Sequence, residues 1–413
     1  MYEHQLRVLL PSSLLISALL MPLCAQTQEG IGVNRPSNDA VSVPAATDPG
    51  TLRLDYAGID LHIHEIYLSG GVWQDFDLTD ATGARFADSD TPIADMVDTI
   101  QNVTRVFSVT FDAHLHQFSL SNGAWHDTDL TALTGAPPDS GVAISAVLDT
   151  IQNIVRVHYV GSDDHLHETY LSNGVWRDYD LTAKTGGPSV TATTPIANVV
   201  DTIANTVRVD YVGGDSHVHE FYIDGGSWHD ADLTQATGAP AVLSLTGIAD
   251  MVDTLENVLR VHYVGGDSHV HELFIAGGAW HDFDLTAVTG APQTGLFTFV
   301  ANVIDTSENV LRVDYAAGGG SDVHEFYISG GAWHDFNLTS AAQAQPAAQV
   351  TPIANISDTI QGVTRVHYLG NSAHLHEIYI SGGAWHDVDL TAETGGPPVT
   401  PLTPIANVLD LLH

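Results

Sequence analysis

The chain has 413 residues, with 50 acidic against 12 basic side chains and a formal charge of -38. Binding to a phosphate backbone needs clustered Lys and Arg, so this balance argues against a nucleic-acid partner and against an anionic membrane surface. It fits an exported protein kept in solution by its own repulsion.

At the N-terminus Arg7 precedes a largely apolar run from Val8 to Leu20, continued by Met21 to Ala25. The run holds Pro11, Ser12 and Ser13 and is too short to span a bilayer, so residues 1–25 read as a signal peptide. The expected location is secreted, periplasmic or cell-surface. Cys24 is the only cysteine, which excludes an intrachain disulfide framework. Residues 26–50, rich in Pro, Ser, Asn, Ala and Gln, read as a flexible linker.

From residue 51 to 413 the chain repeats itself. One tryptophan falls in each block (Trp73, Trp125, Trp176, Trp228, Trp280, Trp333 and Trp385) at intervals of about 52 residues. Within the fourth block, alternating apolar and polar residues broken by Gly, Asn and Pro predict strand a at Pro195–Asp201, b at Val207–Val212, c at His217–Ile223 and d at Trp228–Leu233. Four antiparallel strands in each of seven blocks predict a seven-bladed β-propeller, an all-β fold. The first block starts at strand b with Arg53-Leu54-Asp55-Tyr56, and the chain stops after a lone strand a, Thr403 to Asp410. That last strand is expected to complete the first blade and close the ring, leaving no free sheet edge.

A polar row recurs with the strands. Each block carries one arginine, Arg53, Arg105, Arg156, Arg208, Arg260, Arg312 or Arg365. An aspartate stands seven residues before each of the last six, and Asp410 supplies the seventh. Twelve residues after the arginine comes Glu65, Gln117, Glu168, Glu220, Glu272 or Glu377, and in the sixth block Glu325 comes one residue late. A two-residue turn at Ala204-Asn205 would set Asp201 directly opposite Arg208, with Glu220 opposite it on the other side. Such a row reads in two ways. It is an internal ion network between blades, which must be fully paired to be tolerated, or it is a recognition site, since an Arg fork and a carboxylate together donate to and accept from sugar hydroxyls.

The spacing Arg-Val-x-Tyr, Glu at plus twelve and then Gly-Gly-x-Trp resembles the fungal fucose-specific lectins of the Aleuria type, as does Pro195-Ile196-Ala197-Asn198-Val199 on strand a. The resemblance covers nearly all of residues 51–413. It implies a non-catalytic, multivalent carbohydrate-binding propeller with glycans, fucosylated ones first, as partners. In that family the sugar sits between blades, held by Arg and Glu or Gln from one blade and a Trp from the next. Carried over, Arg53 and Glu65 face Trp125, Arg105 and Gln117 face Trp176, Arg156 and Glu168 face Trp228, and Arg208 and Glu220 face Trp280. Arg260 and Glu272 face Trp333, Arg312 and Glu325 face Trp385, and Arg365 and Glu377 face Trp73 across the closure. Three departures stand out. Family members typically have six blades; an aromatic five residues before the Trp is replaced by Ile223, Ile275 and Ile380; and strand a ends in the recurrent Asp, which can occupy the arginine.

His-x-His precedes the glutamate in six blocks, as at His62/His64, His165/His167, His217/His219 and His269/His271. Such pairs share one face of a strand and form a metal-binding alternative only if a third ligand converges on them; polar packing between blades is the other reading. No nucleophile elbow, phosphate loop or zinc-protease motif occurs, so neither catalysis nor a cofactor is expected.

Overall fold

In each repeat the second strand is buried on both faces. In Thr206–Val212, Val207, Val209 and Tyr211 point one way into apolar packing, while Arg208 and Asp210 point the other way and are also enclosed. The computed structural model describes residues 50–88, 91–191, 193–295, 297–318, 322–400 and 403–412. Residues 1–25, expected to be a signal peptide, and all but the last residue of the expected linker lie outside these residues.

Seven four-stranded antiparallel sheets form a propeller. The fourth blade is built from Ile196–Asp201, Thr206–Val212, Val218–Asp224 and Ser227–Asp232. The first takes its inner strand from the C-terminus. Ala406–Asp410 pairs with Thr51–Ala57 from Thr51↔Asp410 to Asp55↔Ala406, so the ring closes as the chain ends predict.

Local signals set the turns. The hairpin between the first two strands of blade four spans Thr202–Asn205, with Asn205 at φ 57° and Asp201 Oδ1 accepting from the amides of Ile203 and Ala204. The outer hairpin turns on Gly225 and Gly226, both at positive φ as a two-residue loop requires. After the outer strand comes one element the strand pattern did not predict, a single-turn helix in every blade, Leu233–Thr237 in the fourth. Asp232 caps it by accepting from the Gln235 amide, and Gly238, at φ 74°, ends it. Thr234 Oγ1 then accepts from the amide of Val218, tying the helix to the third strand. Five residues are too few to show a 3.6-residue period, which is why alternation alone misses them.

The hydrophobic core is divided into seven clusters between neighbouring blades. Val160, Leu166 and Leu181 of blade three pack on Ile196, Val209 and Phe221 of blade four. Leu369, Leu375 and Leu390 of the last blade pack on Leu54, Tyr56 and Ile66 of the first, so the closure is as apolar as the other junctions. Each fully buried side chain of this size contributes about 1.5–3 kcal/mol. Among the described residues no helix is long and apolar enough to cross a membrane.

Candidate functional site

The polar rows lie at the junctions between blades. Arg156 donates from Nε and Nη2 to Asp149 Oδ2 at 3.1 and 2.9 Å, and from Nη1 to Glu168 Oε2 at 2.7 Å. Arg53 is held the same way by Asp410 at 2.9 Å and Glu65 at 2.6 Å, across the closure. Gln117 accepts from Arg105, and the late Glu325 still reaches Arg312 at 2.7 Å, because the extra residue is absorbed in the turn.

The register differs from the simple expectation. Arg208 stands opposite Val199 and Tyr222, while Asp201 pairs with Thr206 and Glu220 with Asp210. The turn has four residues instead of two because Asp201 spends one oxygen on capping it. The ion pairs therefore run diagonally, from Arg208 Nε to Asp201 at 2.8 Å and from Nη1 to Glu220 at 2.6 Å.

Three tryptophans reach the preceding blade's arginine from the opposite face of their own blade. Trp228 lies 5.7 Å from the Arg156 guanidinium, Trp385 5.9 Å from that of Arg312, and Trp73 6.0 Å from that of Arg365. Arg156, Glu168, Tyr179 and Trp228 line a cleft of about 320 Å³, and Arg260, Glu272, Phe283 and Trp333 line a second of about 320 Å³. The carried-over grouping departs from an open cleft at one junction. Trp125 is only 4 % exposed and packs among Ile93, Phe118 and Leu120, so it fills the junction of Arg53 and Glu65 instead of lining an open cleft. Trp176, half-buried, meets Phe107 of the preceding blade edge-on at 6.2 Å. Tyr222 and Tyr379, one position off the family's aromatic, lie on the arginine's own face, 5.8 Å from Arg208 and 5.6 Å from Arg365.

The charged heads are covered. The arginine side chains paired with glutamate are between 2 and 10 % exposed, Arg208 the most, and their glutamates 2 % or less. In four blades a residue of the first hairpin adds a further partner to Nη2: Gln101, Glu256, Glu308 and Gln361. Arg208 has Ala204 at that position, and its Nη2 has no hydrogen-bond partner among the described residues.

One member of the row was not anticipated, the residue two after the arginine. In blades three, five and seven it is His158, His262 or His367, whose Nε2 meets the glutamate at 3.1–3.2 Å. The other ring nitrogen meets Asn198, Asn302 or Asn407 of the next inner strand at 2.8–2.9 Å. In blades one and four it is Asp55 or Asp210, which faces Asp95 or Asp250 instead. Burial, and next the neighbouring carboxylates, push Asp55 and Asp210 well above the usual range, and burial lifts Asp95 and Asp250 to about 7. Two enclosed carboxyls facing each other must hold a proton between them. Matching each blade's residue with its successor's would have exposed this pairing, since His goes with Asn throughout.

Replacing Arg260 by Met is expected to lower stability by about 3–5 kcal/mol, because Asp253 and Glu272 would remain buried without their cation. The urea midpoint of the variant measures it.

A larger cavity of about 440 Å³ opens on the propeller axis, where the inner strands bring Ile144, Ile196, Ile248, Phe299 and Ile353 together. Its lining is mostly apolar, with Thr193 and Thr246, and carries no charged side chain.

The family model of the fungal fucose-specific lectins matches residues 37–248 and 193–399, most of the chain. The chain belongs to that family. Among solved structures it resembles AofleA from Arthrobotrys oligospora at 16% identity, covering 78% of this chain and 89% of that one, with a TM-score of 0.50. A point variant of the Aleuria aurantia lectin in complex with Fucalpha1-6GlcNAc matches at 17% identity, 73% and 96% coverage and a TM-score of 0.50. A putative 6-phosphogluconolactonase from Bacteroides uniformis matches at 10% identity, 87% and 100% coverage and a TM-score of 0.52. At these identities the likeness is one of fold. No curated protein matches the chain.

Proposed function

We propose that this protein is an exported, multivalent glycan-binding propeller, with fucosylated glycans as its first ligand class. The observation that carries the reading is the cleft in which Trp228 of one blade stands beside Arg156 and Glu168 of the blade before it. A tryptophan face covers the C–H groups of a sugar, and a charge-assisted pair fixes its hydroxyls. The two clefts of about 320 Å³ have the size of small-ligand pockets. Arg208 adds a free donor at the junction that Trp280 was expected to complete. Several weak sites on one ring act together, because later binding steps become intramolecular.

A second reading is favoured by the completeness of the ion pairing. Asp149 and Glu168 already satisfy Arg156, and a propeller held by such rows is a scaffold for other proteins. A glycan array separates the two. The purified protein should bind fucosylated glycans selectively. A Trp228→Ala, Trp333→Ala variant, which leaves every ion pair intact, should lose avidity by about tenfold or more while keeping its circular dichroism. Absence of binding by the folded parent would leave the scaffold reading.

A further inference from the structure

The His-x-His pairs converge on additional ligands at the end of the blades opposite the clefts. The arginine rows and tryptophans sit beside the first and third hairpins of each blade. The histidines follow the second hairpin, at the other end of the sheet. In blade four, Asp215, His217, His219 and Asp232 present four donor atoms within 4.8 Å of one another. The same four positions recur as Asp163, His165, His167 and Asp180, and as Asp267, His269, His271 and Asp284. We propose that these three clusters are binding sites for a borderline divalent metal ion such as zinc, held by two histidines and two aspartates.

The geometry matches the ion. A tetrahedral zinc with bonds of about 2.0–2.2 Å sets its ligand atoms about 3.3–3.6 Å apart. In blade four the distances are 2.8 Å for His217 Nδ1 to Asp232, 3.3 Å for His219 Nε2 to Asp215, 3.9 Å for His217 to Asp215 and 4.0 Å for His219 to Asp232. Each aspartate gives one oxygen to the backbone and turns the other inward. Asp215 Oδ1 accepts from the His217 amide and Asp232 Oδ1 caps the helix at Gln235, while both Oδ2 atoms face the imidazoles. The buried His219 is oriented by Asp230 at Nδ1, 3.2 Å away, which leaves Nε2 toward the cluster in the manner of a carboxylate–histidine–metal arrangement. Gly213 leaves the space for this approach, since a Cβ there would stand 2.6 Å from Asp215 Oδ1 and 3.1 Å from the ring of His219. Asp215 is 45% exposed, so an ion has a path in.

The remaining blades act as internal controls. In blade two Arg85 occupies Asp112 at 2.9 Å. Blade six has Asp322 and Asn337 where the others have His and Asp, hydrogen-bonded to each other at 2.9 Å. In blade seven the aspartate of the hairpin is missing, and Gln345 takes His376 Nε2 at 2.8 Å. Blade one keeps Asp60, His62 and His64 as a three-ligand version.

The test uses tag-free protein, stripped with chelator, dialysed against zinc at mildly alkaline pH and analysed for metal, beside an Asp163→Asn, Asp215→Asn, Asp267→Asn variant. Asparagine keeps the oxygen that caps the hairpin and removes the anionic ligand. The parent should retain three equivalents, or four with blade one, and show the d–d absorption of tetrahedral cobalt(II) when cobalt replaces zinc. The variant should melt with the parent in the absence of metal, retain at most one equivalent and lose the cobalt band. A parent retaining less than one equivalent, or a variant retaining as much as the parent, would overturn the proposal and leave the clusters as His–Asp ion pairs.

Discussion

Deleting residues 406–413 is expected to abolish the cooperative fold, not merely to weaken it. The deletion strips the inner strand from blade one and exposes the edge of Thr51–Ala57, a template for pairing with other chains. It also removes Asp410, which accepts from Arg53 Nε at 2.9 Å and from Thr104 Oγ1 at 2.7 Å and so joins the first blade to the second. Arg53, 2 % exposed, would keep only Glu65. Thermal melting followed by circular dichroism, with size-exclusion chromatography, should show no sharp transition and a shift to aggregates. The gentler Asp410→Ala should retain the fold at a cost of about 3 kcal/mol. A deletion variant that melts within a few degrees of the parent would mean that the ring is held by something other than its last strand.

The protein is also expected to be more stable at pH 5 than at pH 8. Asp95, Asp250 and Asp314 are each lifted by burial to about 7, and Asp55 and Asp210, which face Asp95 and Asp250, are raised well above the usual range, by burial first. A carboxyl whose folded pKa lies above its unfolded value stabilises the fold fully below about pH 4, and that contribution is lost as the pH rises through about 7. At about 1.4 kcal/mol per unit, even heavily discounted shifts sum to about 2 kcal/mol or more. His158 works in the opposite direction, since burial lowers its pKa and its contribution falls below about pH 6.5. Glu168, whose pKa is lowered despite burial by its bonds to His158 and Arg156, matters only in strong acid. Replacing Asp55 and Asp210 by His, and Asp95 and Asp250 by Asn, copies the pairing of His262 with Asn302 and should reduce the slope, leaving the share of Asp139, Asp314, Glu220 and Glu325, which burial also raises. Urea midpoints of the two proteins at pH 5 and pH 8 make the comparison. An unchanged slope would exclude the paired aspartates as its origin and leave it to Asp139, Asp314, Glu220 and Glu325.

The repeat made the strands, the blade number and the closure legible, because the same hairpin signals recur in every block and the repeat array starts on a second strand and closes on a lone first strand. The partners of Arg208 were legible too, through spacings of seven and twelve residues. Their register was not, because Asp201 caps a four-residue turn that a hairpin count of two leaves out. The helix Leu233–Thr237 could have been found from its Asp232 and Gly238 caps. Burial was the harder quantity. The same Arg and Trp letters give a cleft at Arg156 and Trp228 but a filled junction at Trp125, and the difference lies in neighbouring apolar side chains that no single repeat displays. The convergence of Asp215 and Asp232 on His217 and His219 joins two hairpin ends that only the folded blade brings together.

The most direct test of glycan recognition is a crystal structure of the protein soaked with α-methyl fucoside. The sugar is expected between Trp228 and the pair Arg156 and Glu168, and between Trp333 and the pair Arg260 and Glu272, with its apolar face on each indole. Well-ordered crystals showing these clefts empty at saturating sugar, or the sugar bound elsewhere on the ring, would contradict the account.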